Sequence, residues 1–339
     1  MKIEKVLIVD LNFNVKRNNS FFSRVNIPNK FHKLFEVIRL VKNWQDPILF
    51  KLGLKKKIII KMRDGRNFEI KNLVAFEEFW KNRYFEKLLD ESKRINLRID
   101  KNRNLIIFKF NKKQIYINFG SERHLEDSLQ LIHEEFVEEI YKFLEPKKKI
   151  VINIGASIGD SAVYFALKGA KHVYAFEPYP YSYNIAKWNI KKNKLEDKIT
   201  LVNAGCGKRD VIHIPINTEN YISSAAKTFT IKRTSKAKDI QILSLEEIID
   251  MFNINEGVLE MDCEGCEYSA ILESSNRTLR KFSRIIIEYH HGYINLVKKL
   301  KTAGFEVKYT LPANFGYDPK KIAPVSYVGM IYAKKKSQK

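Results

Sequence analysis

The second half of the chain alternates short apolar runs with amphipathic segments. Ile150–Ile154 is rich in β-branched residues and lacks a clean polar alternation, as does a strand buried on both faces of a parallel sheet. A turn containing glycine follows, and apolar residues then recur at helical spacing over Asp160–Leu167. The next apolar run is His172–Phe176. This order of strand, turn, helix and strand predicts half of a nucleotide-binding α/β unit.

Five further apolar runs complete a predicted seven-stranded sheet, at residues 199–203, 257–262, 284–289, 305–309 and 327–333. Before the first strand, residues 129–143 predict an amphipathic helix that packs on the sheet. Its glutamates are expected to face solvent: Glu134, Glu135, Glu138 and Glu139. The predicted fold class is therefore α/β, a Rossmann-like, mostly parallel seven-stranded sheet with helices on both faces.

Residues 1–128 have a different pattern and predict a smaller α+β domain, which precedes the α/β domain over residues 129–336. Helical spacing within residues 31–50 indicates a helix that stops before Pro47, and period-two runs over residues 58–70 and 105–119 indicate two hairpins. Aromatic and basic residues interleave here. The region is interpreted as an accessory domain that covers the site or selects the substrate. A stacking platform for single-stranded nucleic acid is the alternative, and aromatic packing in a core is the simplest explanation.

The composition is that of a globular protein. The chain has 339 residues, of which 45% are hydrophobic, enough for a sizeable core. It contains no apolar run of about 18 residues, and the start lacks a signal-peptide core and cleavage site, so no membrane span is expected and the predicted location is cytoplasmic. Three cysteines are too few for a disulfide framework: Cys206, Cys263 and Cys266.

The formal net charge of +22 leaves three interpretations open. Clustered lysine and arginine residues can bind nucleic acid by releasing counterions from its phosphates. They can also attract an anionic membrane surface or an acidic glycan. A third possibility is a solvated positive surface in a protein of lysine-rich composition.

The turn at residues 155–159 reads G-A-S-I-G, and glycine there lets a ligand approach the backbone closely. Glu177 follows the second strand, 22 residues after the first glycine, where a carboxylate can accept hydrogen bonds from both hydroxyls of a ribose. The spacing differs from the pyrophosphate-binding G-x-G-x-x-G, and Asp160 at the start of the helix would repel a phosphate. The turn suits S-adenosylmethionine, whose methionine end carries an ammonium and a sulfonium.

Four motifs make the chain resemble the FkbM-type family of class I S-adenosylmethionine-dependent methyltransferases. They are V-I-N-I-G-A-S-I-G-D-S, A-F-E-P-Y-P, L-E-M-D-C-E-G-C-E-Y and I-I-I-E-Y-H, in this order within residues 130–333. The resemblance implies a class I methyltransferase fold, S-adenosylmethionine as the cofactor, and a hydroxyl acceptor on a sugar, a glycan or another small molecule.

The resemblance also indicates which residues hold the cofactor. Gly155 and Gly159 would line its methionine end, and Glu177 would hold its ribose. The family usually has an acid where this chain has Asn153, so Asp160 or Asp262 is expected to supply that charge. The full predicted cofactor set is Asn153, Gly155, Ala156, Gly159, Asp160, Glu177, Asp262 and Asn203, the last at the end of the third strand beside the adenine.

The predicted catalytic residues follow the fourth and fifth strands, at the edge where open α/β sheets bind ligands. Asp262 is predicted to orient the methionine end or the acceptor, and Glu264 to hydrogen-bond the acceptor hydroxyl; either could instead cap the next helix. His290 is predicted to be the general base because its pKa lies near working pH, with Glu288 holding its ring.

Cys263 and Cys266 spell C-x-x-C, but a zinc site needs four ligands and a second cysteine pair is absent. We predict no metal site and interpret both cysteines as small residues packed beside the turn.

Two other functions stay open from the sequence. An RNA methyltransferase would use the positive charge, but methylation of base nitrogens commonly requires an N-P-P-Y-like turn where this chain has D-C-E-G, so only ribose O-methylation would fit. A non-catalytic binding module would explain Asn153 as part of a decayed cofactor site.

Overall fold

The computed structural model describes residues 37–76, 79–80, 90–215, 237–311, 313–314 and 327–336. The start of the helix predicted within residues 31–50 lies outside these ranges. Its described remainder is helical at residues 37–40 and again over Gln45–Lys51. The expectation that the helix stops before Pro47 is wrong, because Pro47 lies in the first turn of this second helix, where proline is tolerated.

The described strands are β1 (Ile58–Lys61), β2 (Asn67–Ile70), β3 (Arg98–Asp100), β4 (Leu105–Phe110), β5 (Lys113–Asn118), β6 (Ile150–Ile154), β7 (His172–Phe176), β8 (Ile199–Val202), β9 (Gly205–Cys206), β10 (Asp210–Pro215), β11 (Ala237–Leu243), β12 (Gly257–Met261), β13 (Phe282–Tyr289), β14 (Phe305–Tyr309), β15 (Ala313–Asn314) and β16 (Tyr327–Lys335). The main α-helices are α1 (Gln45–Lys51), α2 (Leu125–Ile132), α3 (Asp160–Leu167), α4 (Pro180–Lys192), α5 (Leu245–Met251), α6 (Cys266–Glu273), α7 (Asn276–Leu279) and α8 (Ile294–Thr302).

The central sheet has the strand order β14-β16-β13-β12-β6-β7-β8. Neighbours from β13 to β8 pair in parallel, whereas β16 runs antiparallel to both β13 and β14. Six of these seven strands therefore point the same way, and their carboxyl ends lie along one edge. This order confirms the predicted mostly parallel seven-stranded sheet.

Helices cover both faces of the central sheet, as predicted. Consecutive side chains of a strand point to opposite faces. Val151 and Val258 belong to a hydrophobic core shared with α3 and α4. Ile152 and Leu259, one residue further along each strand, belong to a second core shared with α5, α6 and α8. The apolar runs without polar alternation are explained by this burial on both faces.

The segment before β6 is not the continuous helix predicted for residues 129–143. After α2 the chain forms a π-helical turn at His133–Val137 and then a 3₁₀ helix at Ile140–Leu144. The π turn shifts the side chains that follow relative to a regular helix. Glu135 is buried, with only 2% of its surface exposed, so the prediction that it faces solvent is wrong. Glu138 is exposed, as expected.

Both predicted hairpins form, but they pack differently. β1 and β2 belong to a small core of their own with residues between Val41 and Phe79. β4 and β5 form a three-stranded sheet with β3, which pairs with β4. This small sheet packs against the face of the central sheet that α3 covers. Asn189 of α4 holds this contact: its Oδ1 accepts from the Asn118 amide at 2.7 Å, and its Nδ2 donates to the Ile158 carbonyl at 2.8 Å. No helix within the described ranges has the length and hydropathy needed to span a membrane.

Candidate active site

Three neighbouring strands carry polar residues on one face of the sheet, at their carboxyl ends. Asn153 on β6 lies in register with Glu260 on β12, which lies in register with Ile286 on β13. Two residues further along, where the same face recurs, the chain has Asp262 after β12 and Glu288 on β13. Strand alternation and parallel register therefore bring these side chains to one edge.

The glycine turn after β6 fits closely against its neighbours. Gly155 has φ +87°, and a Cβ there would lie 1.8 Å from the carbonyl oxygen of Asp262. Gly159 has φ +81°, and its Cβ would lie 3.0 Å from the Cβ of Ala186 on α4. Both glycines are thus required by the packing of the turn and by its backbone conformation. That they also line the cofactor remains a prediction.

Ala156 and Asp160 lie beside these glycines. The Ala156 amide donates to the Phe176 carbonyl at 2.9 Å, which ties the turn to β7. Asp160 begins α3 with 2% of its surface exposed. Burial raises its pKa to about 7, although the backbone amides of Asp160 and Ser161 oppose the shift. Its Oδ2 has no hydrogen-bond partner among the described residues.

Glu177 lies at the end of β7 with 5% of its surface exposed. Its Oε2 accepts from the Ser157 amide and its Oε1 from the Tyr179 amide, each at 2.8 Å. Burial raises the pKa of Glu177 to about 8 against the effect of these two amides. Each carboxylate oxygen keeps a further acceptor position, so the side chain is held in place and can still receive two ribose hydroxyls.

Asn203 hydrogen-bonds to the backbone that follows β7. Its Nδ2 donates to the carbonyl oxygens of Glu177 at 2.9 Å and Pro178 at 3.0 Å, and its Oδ1 accepts from Lys238 at 2.6 Å. These contacts fix the backbone that carries Glu177. Recognition of the adenine by Asn203 or by the backbone that follows it stays a prediction.

Asn153 is fully buried and hydrogen-bonded at both ends of its amide. Its Nδ2 donates to Glu260 Oε2, and its Oδ1 accepts from the Ser161 hydroxyl at 3.2 Å. Glu260 has 1% of its surface exposed, and burial followed by the nearby charge of Asp262 raises its pKa. An aspartate at position 153 would lack the N–H donor that this glutamate uses.

His290 lies between carboxylates on two sides. Its Nδ1 is 3.1 Å from Glu267 Oε1, and its backbone amide donates to the same oxygen at 3.0 Å. Glu267 is fully buried and also accepts from the Gly265 amide at 2.8 Å. On the other side of the ring, Nε2 lies 3.4 Å from Glu264, 3.6 Å from Glu288 and 3.7 Å from Asp262. The predicted pair of Asp262 and Glu264 is thus joined to His290.

The charges of this cluster bear on which group can take a proton. Burial disfavours a charged His290, but Glu264 and Glu267 outweigh it and raise its pKa to about 11. Burial raises the pKa of Asp262 to about 7, with His290 opposing the shift. The His290 ring is therefore protonated at neutral pH and cannot accept another proton. Asp262 can, since its pKa lies near 7, and which residue acts as the base stays a prediction.

Cys263 and Cys266 form a disulfide, with their Cα atoms 5.5 Å apart. The interpretation of both residues as mere packing groups is wrong. The bond closes the turn that carries Glu264, a residue with φ +57°, and Gly265, with φ +114°. It therefore holds a catalytic candidate in a left-handed backbone conformation that a glutamate rarely adopts. Cys206 is a buried free thiol.

Two groups within the described residues have ligand atoms close enough for one metal ion: Glu91, His133 and Glu138, and, in the cluster above, Asp262, Glu288 and His290. In each group the three atoms lie within 4.8 Å of one another.

Sequence reasoning missed Glu135 and Glu260 as residues of the site, and it noted Glu267 among the carboxylates after β12 without giving it a role. Glu260 stands two residues before Asp262 in a buried strand, so alternation could have identified it. Glu135 and Glu267 depend on a π turn and on packing between distant segments, for which the sequence gives no signal.

Comparison with known proteins agrees with this architecture. Residues 153–308 match the methyltransferase FkbM domain. The ribosomal protein L11 methyltransferase of Carboxydothermus hydrogenoformans is 30% identical over 137 residues, which cover 38% of this chain and 41% of that protein. The chain thus spans less than half the length of this curated relative.

Solved structures of methyltransferases also align with the chain. The precorrin-6y C5,15-methyltransferase of Geobacter metallireducens aligns with 59% of this chain and 89% of its own, at 14% identity and a TM-score of 0.35. TrmK of M. capricolum, solved with S-adenosyl-homocysteine, aligns with 58% of this chain and 67% of its own, at 16% identity and a TM-score of 0.36.

The strand order, the glycine turn and the carboxylate after β7 define a class I S-adenosylmethionine-dependent methyltransferase fold. Within that class, residues 153–308 are similar to the methyltransferase FkbM domain.

The residues present fit the cofactor of this family. Glu177 is held with free acceptor positions for ribose hydroxyls, and the buried Asp160 oxygen without a partner suits a cationic group. No lysine or arginine of the described segments forms an ion pair with the carboxylates of the site. The ammonium and sulfonium groups of S-adenosylmethionine would add positive charge to that of the His290 ring among these carboxylates.

Proposed function

We propose that this protein is an O-methyltransferase that uses S-adenosylmethionine and acts on a hydroxyl group of a sugar, a glycan or another small molecule. The observation that carries the proposal is the cluster of Asp262, Glu264 and Glu288 around His290, at the sheet edge that also holds Glu177. Carboxylates in such a cluster are acceptors for sugar hydroxyls and for the proton that a reacting hydroxyl loses.

S-adenosylmethionine, when bound, supplies an electrophilic methyl group. The residues of the chain do the remaining work. Glu264 accepts a hydrogen bond from the acceptor hydroxyl and Asp262 takes its proton, while the charge of the His290 ring stabilises the carboxylates around it. Positioning of the reacting groups can account for about 7–11 kcal/mol of the barrier. Proton transfer contributes about 10²–10⁴-fold.

The cofactor assignment is tested by calorimetric titration with S-adenosylmethionine and, separately, with NAD. We expect binding of S-adenosylmethionine alone. Glu177→Gln should weaken it about tenfold or more, because the amide replaces one acceptor oxygen by a donor. Glu196→Gln, at an exposed position after α4, is the control. Undiminished affinity in the Glu177 variant would remove the ribose assignment, and a panel of sugars and glycans with mass detection of the added methyl group then tests the acceptor.

A second candidate is ribose O-methylation of RNA, favoured by the formal charge of +22 and by the basic amino-terminal region. The carboxylates of the site oppose it, since they would repel phosphates close to the reacting hydroxyl. Transfer of a radiolabelled methyl group to total tRNA or rRNA, and not to sugars, would favour this candidate.

We further propose that residues 1–128 act as an accessory domain that selects the acceptor, with the methyltransferase domain over residues 129–336, and that the protein acts in the cytoplasm. Disulfides in the cytosol are commonly transient, so in that location the Cys263–Cys266 bond would open and close.

Cell fractionation tests the location. The activity of a variant that lacks residues 1–80 towards different acceptors tests the role of the accessory domain.

A further inference from the structure

Two buried carboxylate oxygens near the glycine turn have no hydrogen-bond partner among the described residues: Oε2 of Glu135 and Oδ2 of Asp160. Each residue has 2% of its surface exposed. A buried carboxylate without a partner is costly, and such groups in native proteins call for an explanation such as a ligand.

The fold brings these two residues together from separate elements. Glu135 lies in the π turn and Asp160 in the first turn of α3, and the two elements pack through the rings of Phe136 and Tyr164, whose centroids are 5.6 Å apart. Asp160 is the charged group that acts most strongly on Glu135, ahead of Glu260. π turns inserted in helices frequently occur at functional sites.

Among the described residues, no lysine or arginine forms an ion pair with either carboxylate. Lys168, directly after α3, pairs instead with Glu139 at 3.0 Å. This is notable in a chain with a net charge of +22, and it indicates that the positive charge comes from a ligand.

The other acids nearby already have partners. Asp262 faces the charged ring of His290, and Glu260 accepts from Asn153, the position where an acid would be expected. The Asp160 carboxylate accepts hydrogen bonds from the backbone amides of Asp160 and Ser161. Of these acids, Glu135 therefore has the carboxylate best able to accept hydrogen bonds from a bound cation.

We propose that Glu135 is the counter-ion of the α-ammonium group of S-adenosylmethionine, with Asp160 as the second acceptor, in place of an acid at position 153. The assignment rests on the proposed use of that cofactor. This assignment places the negative charge that faces the ammonium in the π turn before β6. Asn153 can then donate its hydrogen bond to Glu260.

The test compares ligands that differ in the amino group. Calorimetry is run on the wild-type chain and on Glu135→Gln with S-adenosylmethionine, S-adenosylhomocysteine and 5′-methylthioadenosine, which lacks the amino acid part. We expect Glu135→Gln to weaken the first two about tenfold or more and to leave the third unchanged. Glu138→Gln, at an exposed position three residues further on, should change none of them.

The outcomes separate the two proposals. Unchanged S-adenosylmethionine affinity in Glu135→Gln, or an equal loss for 5′-methylthioadenosine, overturns the role of Glu135 and leaves the proposed function standing. Absence of S-adenosylmethionine binding in the wild-type chain overturns both.

A measurement on the wild-type chain alone covers the case in which Glu135→Gln does not fold. Burial holds the pKa of Glu135 well above its ordinary value, so this group keeps its proton to a higher pH than an exposed glutamate does. A bound ammonium lowers that pKa, and the proton is released. Titrations at pH 7 in two buffers of different ionisation enthalpy should show proton release with S-adenosylmethionine and none with 5′-methylthioadenosine; equal release with both would count against the assignment.

Discussion

At the scale of single residues, the pairing of His290 with acids decides its chemistry. A histidine at a strand end was predicted to be a base because its ordinary pKa lies near neutrality. Glu264 and Glu267 instead raise its pKa and keep the ring charged. The same geometry leaves Asp262, whose pKa burial raises to about 7, as a group that changes charge in the working range.

This predicts the pH dependence of turnover. Asp262 must be ionised to accept the hydroxyl proton, so kcat should rise with pH and level off above about 7. Asp262→Asn should remove this rise and lower kcat about 10²–10⁴-fold. Initial rates of S-adenosylhomocysteine formation at saturating acceptor, from pH 5.5 to 9 at constant ionic strength, measure both effects. A rate that is flat across this range would contradict the role of Asp262.

Asn153 illustrates how a departure from the family pattern is compensated. Its amide satisfies Glu260 on the neighbouring strand, in a place with almost no exposure to solvent. Two carboxylates there would repel each other and share no fixed donor. The substitution therefore does not by itself indicate a decayed site.

Asn153→Asp should lower the free energy of unfolding by about 1–3 kcal/mol at pH 8. Because burial raises the pKa of such carboxyl groups in the folded state, the folded chain binds more protons than the unfolded chain, and stability falls as pH rises. The loss should therefore shrink towards pH 5. Urea unfolding at both pH values measures it, with the exposed Asn255→Asp as the control. A loss that is larger at pH 5 would rule out this explanation.

At the scale of elements, the turn between β12 and α6 connects the site to its disulfide. Cys263 and Cys266 flank Glu264, and Gly265 donates to Glu267, which in turn holds His290. One short turn thus fixes two of the acids around the ring. Opening of the disulfide would free Glu264 from its left-handed conformation.

Reduction by a dithiol such as dithiothreitol, which is oxidised as the protein disulfide becomes two thiols, should lower kcat about tenfold or more. The reason is that a displacement of about 1 Å in a positioned group can cost about 10²-fold. Cys263→Ser should have the reduced rate with and without the dithiol, and Cys206→Ser should respond as the wild type does. Thiol counting by mass spectrometry reports the redox state. Equal rates of the oxidised and reduced forms would show that the turn is held without the bond.

At the scale of the whole molecule, charge is distributed unevenly. The net charge is +22, yet the site contains a group of acids with one histidine: Glu135, Asp160, Glu177, Glu260, Asp262, Glu264, Glu267 and Glu288. A positive exterior and an acidic site suit a cationic cofactor and a neutral or weakly charged acceptor better than a reacting polyanion.

Turnover of a neutral sugar acceptor should accordingly change less than about threefold between 50 and 300 mM salt, since long-range attraction of the acceptor plays little part. RNA as the acceptor would instead lose affinity steeply, by about 10³–10⁵-fold over a comparable range for 6–10 phosphate contacts. The salt dependence of kcat/KM for each acceptor separates the two cases. A steep dependence with a neutral sugar would contradict the charge argument.

Prediction from the sequence succeeded where the signal was local. The apolar runs of β6 and β7, the glycine turn and the helix after it were placed correctly because period and turn chemistry depend on neighbouring residues. The carboxyl-end location of Glu177, Asp262 and His290 followed from the parallel sheet. Prediction failed for Glu135, because a π turn that alters the helical face is not encoded in the spacing of apolar residues.

The sequence by itself therefore determined the order of elements, the class of fold and the position of Glu177, Asp262 and His290 at the sheet edge, since these depend on periodicity and on strand direction. The tertiary structure alone decided which side chains meet. Asn153 and Glu260 are 107 residues apart in the chain, and Glu267 and His290 are 23 apart. These contacts keep His290 charged, and the burial of Glu135 likewise comes from packing between separate elements. Both depend on strand register and helix packing, which no local pattern specifies.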